Sequence, residues 1–229
     1  CEQLRRSYPK LARLDVLLLH GNAGDRSHRL GWMHLLRDGL GVSVTVLDYR
    51  GYGGSDGSPT EAGLIADAAA AARWLRETWR SRPRGQRGGR NGRKLVLWGE
   101  SIGSAVAVGR SADQDVKSDA VVMEAGFSSC VDIASSLYPW FPLLHLFMHD
   151  KFDSVARAER LPCDLPVLHL HGTLDEIAHI SLGRRLFDAL PCAKKRFVEL
   201  RETGHNTIPF RDPARYVKEI AAFLVEHAV

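Results

Sequence analysis

The chain contains no run of eighteen apolar residues, no recognisable signal peptide, no CxxC pair and no internal repeat. The first two absences remove a membrane-spanning helix and a cleaved leader from this segment. The chain opens on Cys1 rather than Met, so a membrane anchor or targeting segment ahead of it stays among the expectations. Its four cysteines (Cys1, Cys130, Cys163, Cys192) are scattered, which points away from a zinc site and a disulfide framework. Reduced thiols fit best, in an intracellular reducing compartment or at a membrane. One stretch also lacks acids: Arg80 to Lys94 carries seven basic residues and no Asp or Glu. The net charge of +4 includes those seven, leaving −3 for the rest, so the basicity is one loop and not a surface-wide field. Arg/Gly tracts can bind RNA, but a single tract between structured elements reads as a solvated loop, and no nucleic-acid partner is expected.

What is present suits one core. With 229 residues, 45% of them hydrophobic, the chain is long enough for a single α/β domain, 1–229. Asp15-Val-Leu-Leu-Leu-His20 is a continuous apolar run, the pattern of a strand buried on both faces of a parallel sheet. Val42 to Asp48, Lys94 to Trp98, Asp119 to Glu124, Leu165 to His171 and Lys195 to Leu200 read as further strands. Between them, Ser58-Pro-Thr-Glu61 predicts a helix start, with Ser58 as N-cap, Pro59 at the first helical position and Glu61 completing a capping box. Leu64, Ala68, Ala71, Leu75 and Trp79 then form its apolar face. A closing helix is expected over Pro213 to His227. Strands alternating with helices imply crossover connections and a mostly parallel sheet flanked by helices.

From about 128 to 162 the pattern changes. Leu137-Tyr-Pro-Trp-Phe-Pro-Leu-Leu-His-Leu-Phe-Met148 is dense in aromatics and broken by two prolines, which a buried core helix would not carry so close together. It reads as a small apolar cap or lid, with Trp140, Phe141, Leu144 and Phe147 as candidate substrate-binding residues. A packing-only role is the alternative.

Four short stretches carry the chemistry. Gly99-Glu-Ser-Ile-Gly103 follows an apolar run and precedes an Ala/Val-rich segment, the strand, sharp turn and helix of a nucleophile elbow. Alone, in a chain with 21 Gly, the pattern could arise by chance. It gains meaning from position: His20-Gly-Asn-Ala-Gly24, Asp175 and His205 also fall just after expected strands, where an open α/β sheet binds ligands. Ser101 is then a nucleophile, His205 the base that takes its proton, and Asp175 the acid that orients the imidazole. The backbone N–H groups of Asn22 and Ile102 would face an oxyanion. Glu124 competes with Asp175 for the acid role. His20, His169 and His171 lack a carboxylate at ligand spacing and read as structural; no metal or cofactor is expected.

These residues, together with Asp48-Tyr-Arg-Gly-Tyr-Gly53, Gly57-Ser-Pro-Thr-Glu61, His171-Gly-Thr-x-Asp-Glu176 and Gly204-His-Asn206, resemble the Bem-type subgroup of α/β-hydrolase-domain serine hydrolases across nearly the whole chain. The resemblance implies the three-layer α/β-hydrolase fold, a Ser101–His205–Asp175 triad and an oxyanion hole at Asn22 and Ile102. Relatives in that subgroup include membrane-associated depalmitoylating thioesterases, often with an N-terminal anchor, for which residues 1–229 offer no sufficiently long apolar run. Two features depart from the pattern: the strands usual before Asp15 are missing or reduced to residues 1–13, and the basic loop 80–94 is long. The expected activity is cleavage of acyl esters or thioesters, on a small-molecule or acylated-protein substrate, through an acyl-enzyme. A prolyl-oligopeptidase type of peptidase and a non-catalytic binding protein of the same fold are the alternatives.

Overall fold

The computed structural model describes residues 8–81, 92–113, 117–141 and 143–228, without the Leu144 side chain. Residues 82–91 of the basic loop and residues 1–7 lie outside the described set.

Six strands form one sheet: β1 (Leu14–Leu19), β2 (Ser43–Val46), β3 (Lys94–Glu100), β4 (Ala120–Glu124), β5 (Val167–Gly172) and β6 (Lys195–Leu200). Their order is β2-β1-β3-β4-β5-β6, and every pairing among the described residues is parallel. The helices are α1 (Leu30–Leu40), α2 (Glu61–Ser81), α3 (Ile102–Asp113), α4 (Cys130–Leu137), α5 (Ser154–Ala158), α6 (Ile180–Ala189), α7 (Ile208–Arg211) and α8 (Pro213–His227).

The apolar runs are continuous because both faces of the sheet are covered. All six residues of β1 are buried. Side chains alternate between faces along a strand, so Leu17, Leu19, Leu95, Leu97, Val121 and Met123 pack with α2, α3 and α6 on one side. Val16, Leu18, Val96, Trp98, Val122 and Leu168 pack with α1 and α8 on the other.

Two local expectations change. The helix after the glycine-rich loop begins at Glu61, not Ser58: Gly63 N–H donates to Thr60 Oγ1 at 3.1 Å, so Thr60 is the cap. Glu61 turns its carboxylate away from a capping box, because the backbone N–H groups of Lys151 (3.0 Å) and Phe152 (2.9 Å) and the Arg157 guanidinium all meet it there. Strand β5 begins at Val167 rather than Leu165, since Pro166 has no N–H for the ladder; its carbonyl still accepts from Val121 N at 2.9 Å. Helix α1 has no counterpart in the sequence reading, although Trp32, Leu36 and Leu40 recur at fourfold spacing and are among its buried residues.

The stretch 128–162 divides in two. Phe152, Ala158 and Leu161 are buried in the core on the α3 side of the sheet, whereas Leu137, Tyr138, Trp140, Phe141, Leu143, Leu146 and Phe147 are exposed.

The strand order also locates the crevice. From β1 the chain moves outward to β2, then crosses back to β3 on β1's other side. The connections leaving β1 and β3 therefore diverge, with α1 on one face and α3 on the other. A ligand site is expected at that switch point, beyond the carboxyl ends of the strands. The loop 20–24 and Ser101 flank it.

Candidate active site

Ser101 sits between β3 and α3 with φ of +53°, in the left-handed region. That conformation costs a residue with a side chain about 1–2 kcal/mol. The tight turn that holds it there depends on its glycines. A Cβ on Gly103 would lie 2.0 Å from the Leu19 carbonyl oxygen, and one on Gly99 would lie 2.2 Å from the Gly103 oxygen. The turn is pinned further by Ser101 N–H donating to Glu124 O (2.8 Å) and Ser104 Oγ–H donating to Gly99 O (2.7 Å). Ile102 is the first residue of α3, so its N–H is one of the orphan amides of a helix start, aimed outward.

The loop after β1 is held from two sides. Gly21 N–H donates to Glu100 Oε2 at 3.1 Å, and the Arg29 guanidinium donates to the same oxygen at 2.9 Å. Tyr52, from the glycine-rich loop after β2, donates its hydroxyl to Asn22 Oδ1 at 2.6 Å. With Gly21 N–H already engaged, Asn22 is the next amide along the loop. Nothing in the sequence spacing signals these ties: Glu100 and Arg29 are 71 positions apart.

Asp175 and His205 meet after β5 and β6. His205 Nδ1 lies 2.9 and 2.8 Å from the two oxygens of Asp175, and both residues are buried. Gly172 permits the approach: a Cβ there would stand 2.2 Å from the Thr203 carbonyl oxygen, so only glycine lets the 201–204 turn cross the end of β5. Asp175 also accepts from Ile177 N (3.0 Å) and Ala178 N (2.8 Å), and His171 Nε2 lies 3.3 Å from its Oδ2. Burial pushes this carboxyl upward, but the hydrogen bonds from His171 and His205, then the His205 charge and the Ala178 amide, outweigh it and hold Asp175 well below the usual carboxylate range. Among the described residues Ser101 Oγ makes no hydrogen bond to His205.

Glu124 is engaged elsewhere. It is wholly buried and accepts from Trp98 Nε1 (2.7 Å) and from the Tyr216 hydroxyl, which itself accepts from Trp32 Nε1 at 2.7 Å. Burial, only partly offset by these bonds, pushes its carboxyl up to about 8, so it is neutral at pH 7. That state and those partners suit a packed hydrogen-bond acceptor and not the acid that orients His205.

A cavity of 190 Å³ lies beside His205, lined among others by Ala23, Arg29, Trp32, Glu100 and Glu124. Two larger cavities, of 480 and 400 Å³, lie near the opposite, amino ends of the strands and hold none of the candidate residues. Trp140, Phe141 and Phe147 do not line the His205 cavity. They stack on one another at 6.1 Å between ring centres, exposed to solvent. The Leu144 side chain is outside the described set. Among the described residues no group of three or more His, Cys, Asp or Glu is disposed to hold a metal ion, and no helix is long and apolar enough to cross a membrane.

With this geometry in view, the chain is similar to known proteins over most of its length. The sequence pattern of the Alpha/beta hydrolase family matches residues 16–160. An uncharacterized protein of Mycobacterium tuberculosis is 39% identical over 214 residues, covering 93% of this chain and 70% of that protein. Protein bem46 of Schizosaccharomyces pombe is 32% identical over 219 residues, 95% of this chain and 69% of its own. The lysophosphatidylserine lipase ABHD12 of Danio rerio is 31% identical over 220 residues, covering 88% of this chain but only 52% of its own. Among solved structures, a monoacylglycerol lipase of Paleococcus ferrophilus superposes with a TM-score of 0.66 at 21% identity, covering 93% of this chain and 94% of that one.

Proposed function

The chain belongs to the alpha/beta hydrolase family, as a relative of bem46, and on that premise we propose that it is a serine hydrolase cleaving acyl esters or thioesters through a Ser101–His205–Asp175 triad. The family and its lipase relatives make the chain a hydrolase; the serine mechanism and the substrate are the proposal. The observation that carries it is the buried His205–Asp175 pair, 2.8 Å apart, at the same strand edge as a serine held at φ +53°.

The chemistry follows from each group's limits. Donating its Nδ1 proton to Asp175 leaves His205 with Nε2 as the basic nitrogen. That nitrogen takes the Ser101 proton as Oγ attacks the acyl carbon. The oxyanion so formed is met by the Asn22 and Ile102 N–H groups, a contact whose loss typically costs about 2.7–4 kcal/mol. His205 passes its proton to the leaving alcohol or thiol, which departs and leaves an acyl-Ser101. Water then attacks with His205 again as base, and the acid is released. Asp175 stabilises the imidazolium in both halves and stays ionised, because its hydrogen bonds hold the carboxyl well below the usual carboxylate range.

The exposed aromatics of the cap motivate a fatty-acyl preference, with Trp140, Phe141, Leu144 and Phe147 as the acyl-contacting residues of a small-molecule or acylated-protein substrate. Labelling by a fluorophosphonate probe, lost in Ser101→Ala and in His205→Ala, tests the triad. A folded wild-type chain that is not labelled would sink it.

A further inference from the structure

Beside Asp175 lies a pair of histidines that the proposed chemistry does not use. His169 and His171 stand two positions apart on β5 and so share one face of the sheet, where both are wholly buried under α6 and the turn 175–178. His171 Nε2 is 2.8 Å from the Ala178 carbonyl oxygen and 3.3 Å from Asp175 Oδ2, while its Nδ1 is 3.3 Å from His169 Nε2. Phe197 stacks against the His171 ring, with ring centres 6.2 Å apart and planes 14° from parallel.

Donor roles follow from the partners. A carbonyl only accepts, so His171 Nε2 must carry a proton, which it shares between Ala178 O and Asp175 Oδ2. The Nδ1 of a neutral His171 is then an acceptor, and His169 Nε2 is the donor facing it. The far nitrogen, His169 Nδ1, has no hydrogen-bond partner. A bare buried lone pair is better tolerated than an orphaned N–H, which fixes the same direction. Burial, with the neighbouring His171 second, holds His169 well below the ordinary histidine range and outweighs the opposing pull of the Gly126 backbone, so it stays neutral. The result is a one-way chain, His169 to His171 to Asp175, ending on the carboxylate that His205 also uses.

We propose that His171 is a positioning residue for Asp175: its N–H draws off part of the carboxylate's charge and holds Oδ2 in place against the His205 ring. The consequence for catalysis rests on the triad reading above; the hydrogen-bond chain does not. The other ionisable groups around the Asp175–His205 unit are Glu176, whose Oε2 lies 3.4 Å from His205 N, and His28, Arg29, Glu100 and Glu124 across the 190 Å³ cavity. From α6, Gly183 is the residue against His171, and it brings no charge.

The test is the titration of the His205 ring by NMR in the wild type, His171→Leu and His171→Gln, a readout that needs no turnover. Leu fills the space without a donor; Gln restores a donor at similar reach. Removing the His171 bond concentrates the carboxylate's charge on His205 and favours its protonated form. The His205 midpoint should therefore rise by about half to one pH unit in His171→Leu and return most of the way in His171→Gln. The acid limb of kcat/KM should follow it. An unmoved midpoint in folded His171→Leu, or an equal rise in both variants, would overturn the proposal, the second by showing that shape and not the donor matters. Should the Leu variant not fold, the ¹⁵N shifts of His171 in the unmutated protein decide: a proton on Nε2 supports the chain, and one on Nδ1 alone refutes it. Failure of the triad reading is seen separately, as absence of fluorophosphonate labelling while the His205 midpoint still responds to His171→Leu.

Discussion

Replacing Glu124 by Gln should change how stability depends on pH, in a direction the structure dictates. Both of its donors, Trp98 Nε1 and the Tyr216 hydroxyl, reach Oε1. Oε2 is therefore where the proton of the neutral acid sits, and glutamine would place its amide there with little change of shape. In the folded protein burial raises this carboxyl from 4.5 to about 8, while in the unfolded chain it titrates normally. Between those values the folded state holds a proton that the unfolded state has lost, so stability falls as pH rises from about 4.5 to about 8. At about 1.4 kcal/mol per tenfold, the ceiling on that loss is about 5 kcal/mol. The adjoining cavity lets water reach the ionised group, which brings the expected loss down to about 2–4 kcal/mol. Urea unfolding followed by tryptophan fluorescence, repeated from pH 5 to pH 9.5, measures it. Tyr216, which hydrogen-bonds Glu124, is pushed by burial to titrate above this pH range, so the difference between wild type and Glu124→Gln isolates the carboxyl. The two should be nearly equal in stability at pH 5, and the variant should lead increasingly up to pH 9. A difference that does not change with pH would refute the assignment of Glu124 as a neutral buried acid.

Further outcomes follow from individual contacts. Gly103→Ala would drive a Cβ to 2.0 Å from the Leu19 carbonyl and should cost about 3 kcal/mol or more by chemical denaturation, whereas Gly31→Ala in α1, with no atom within 4 Å, should gain about 0.5–1 kcal/mol. Glu100→Gln weakens the Arg29 tie to the loop carrying Asn22; an approximately tenfold slower fluorophosphonate labelling rate is expected with the fold intact, and an unchanged rate would show that the loop holds itself. Glu61→Ala strands the Lys151 and Phe152 amides, and should lower stability by about 1–3 kcal/mol with faster hydrogen exchange at both. If the cap aromatics grip acyl chains, turnover of esters should rise with chain length in the wild type and flatten in Trp140→Ala; turnover indifferent to length would remove them from the substrate site.

The sequence by itself determined the sheet, its parallel order and the family. Apolar runs of five or six residues punctuated by glycine and polar turns can be satisfied only by strands covered on both faces, and β1 and β3 are so covered. It also placed Ser101, Asp175 and His205 at strand ends, because in a parallel sheet every strand ends at one edge, so three residues 74 and 30 positions apart needed no contact information to be brought there. The steric demand on Gly99 and Gly103 was legible for the same reason: a turn that tight admits no Cβ. Tertiary structure alone decided what has no period or spacing. Whether Glu124 or Asp175 faces His205 depended on where Trp98 and Tyr216 pack, and Tyr216 is 92 residues from Glu124. The Glu100–Arg29 tie, the turn of Glu61 toward Lys151 and Phe152, and the burial of Phe152 and Leu161 inside a stretch that reads as a cap are pairings between distant segments. So is the role of His171: two histidines on one face of a strand look structural in sequence, and only the closure of the 175–178 turn around the second puts its N–H on the carboxylate that His205 also uses.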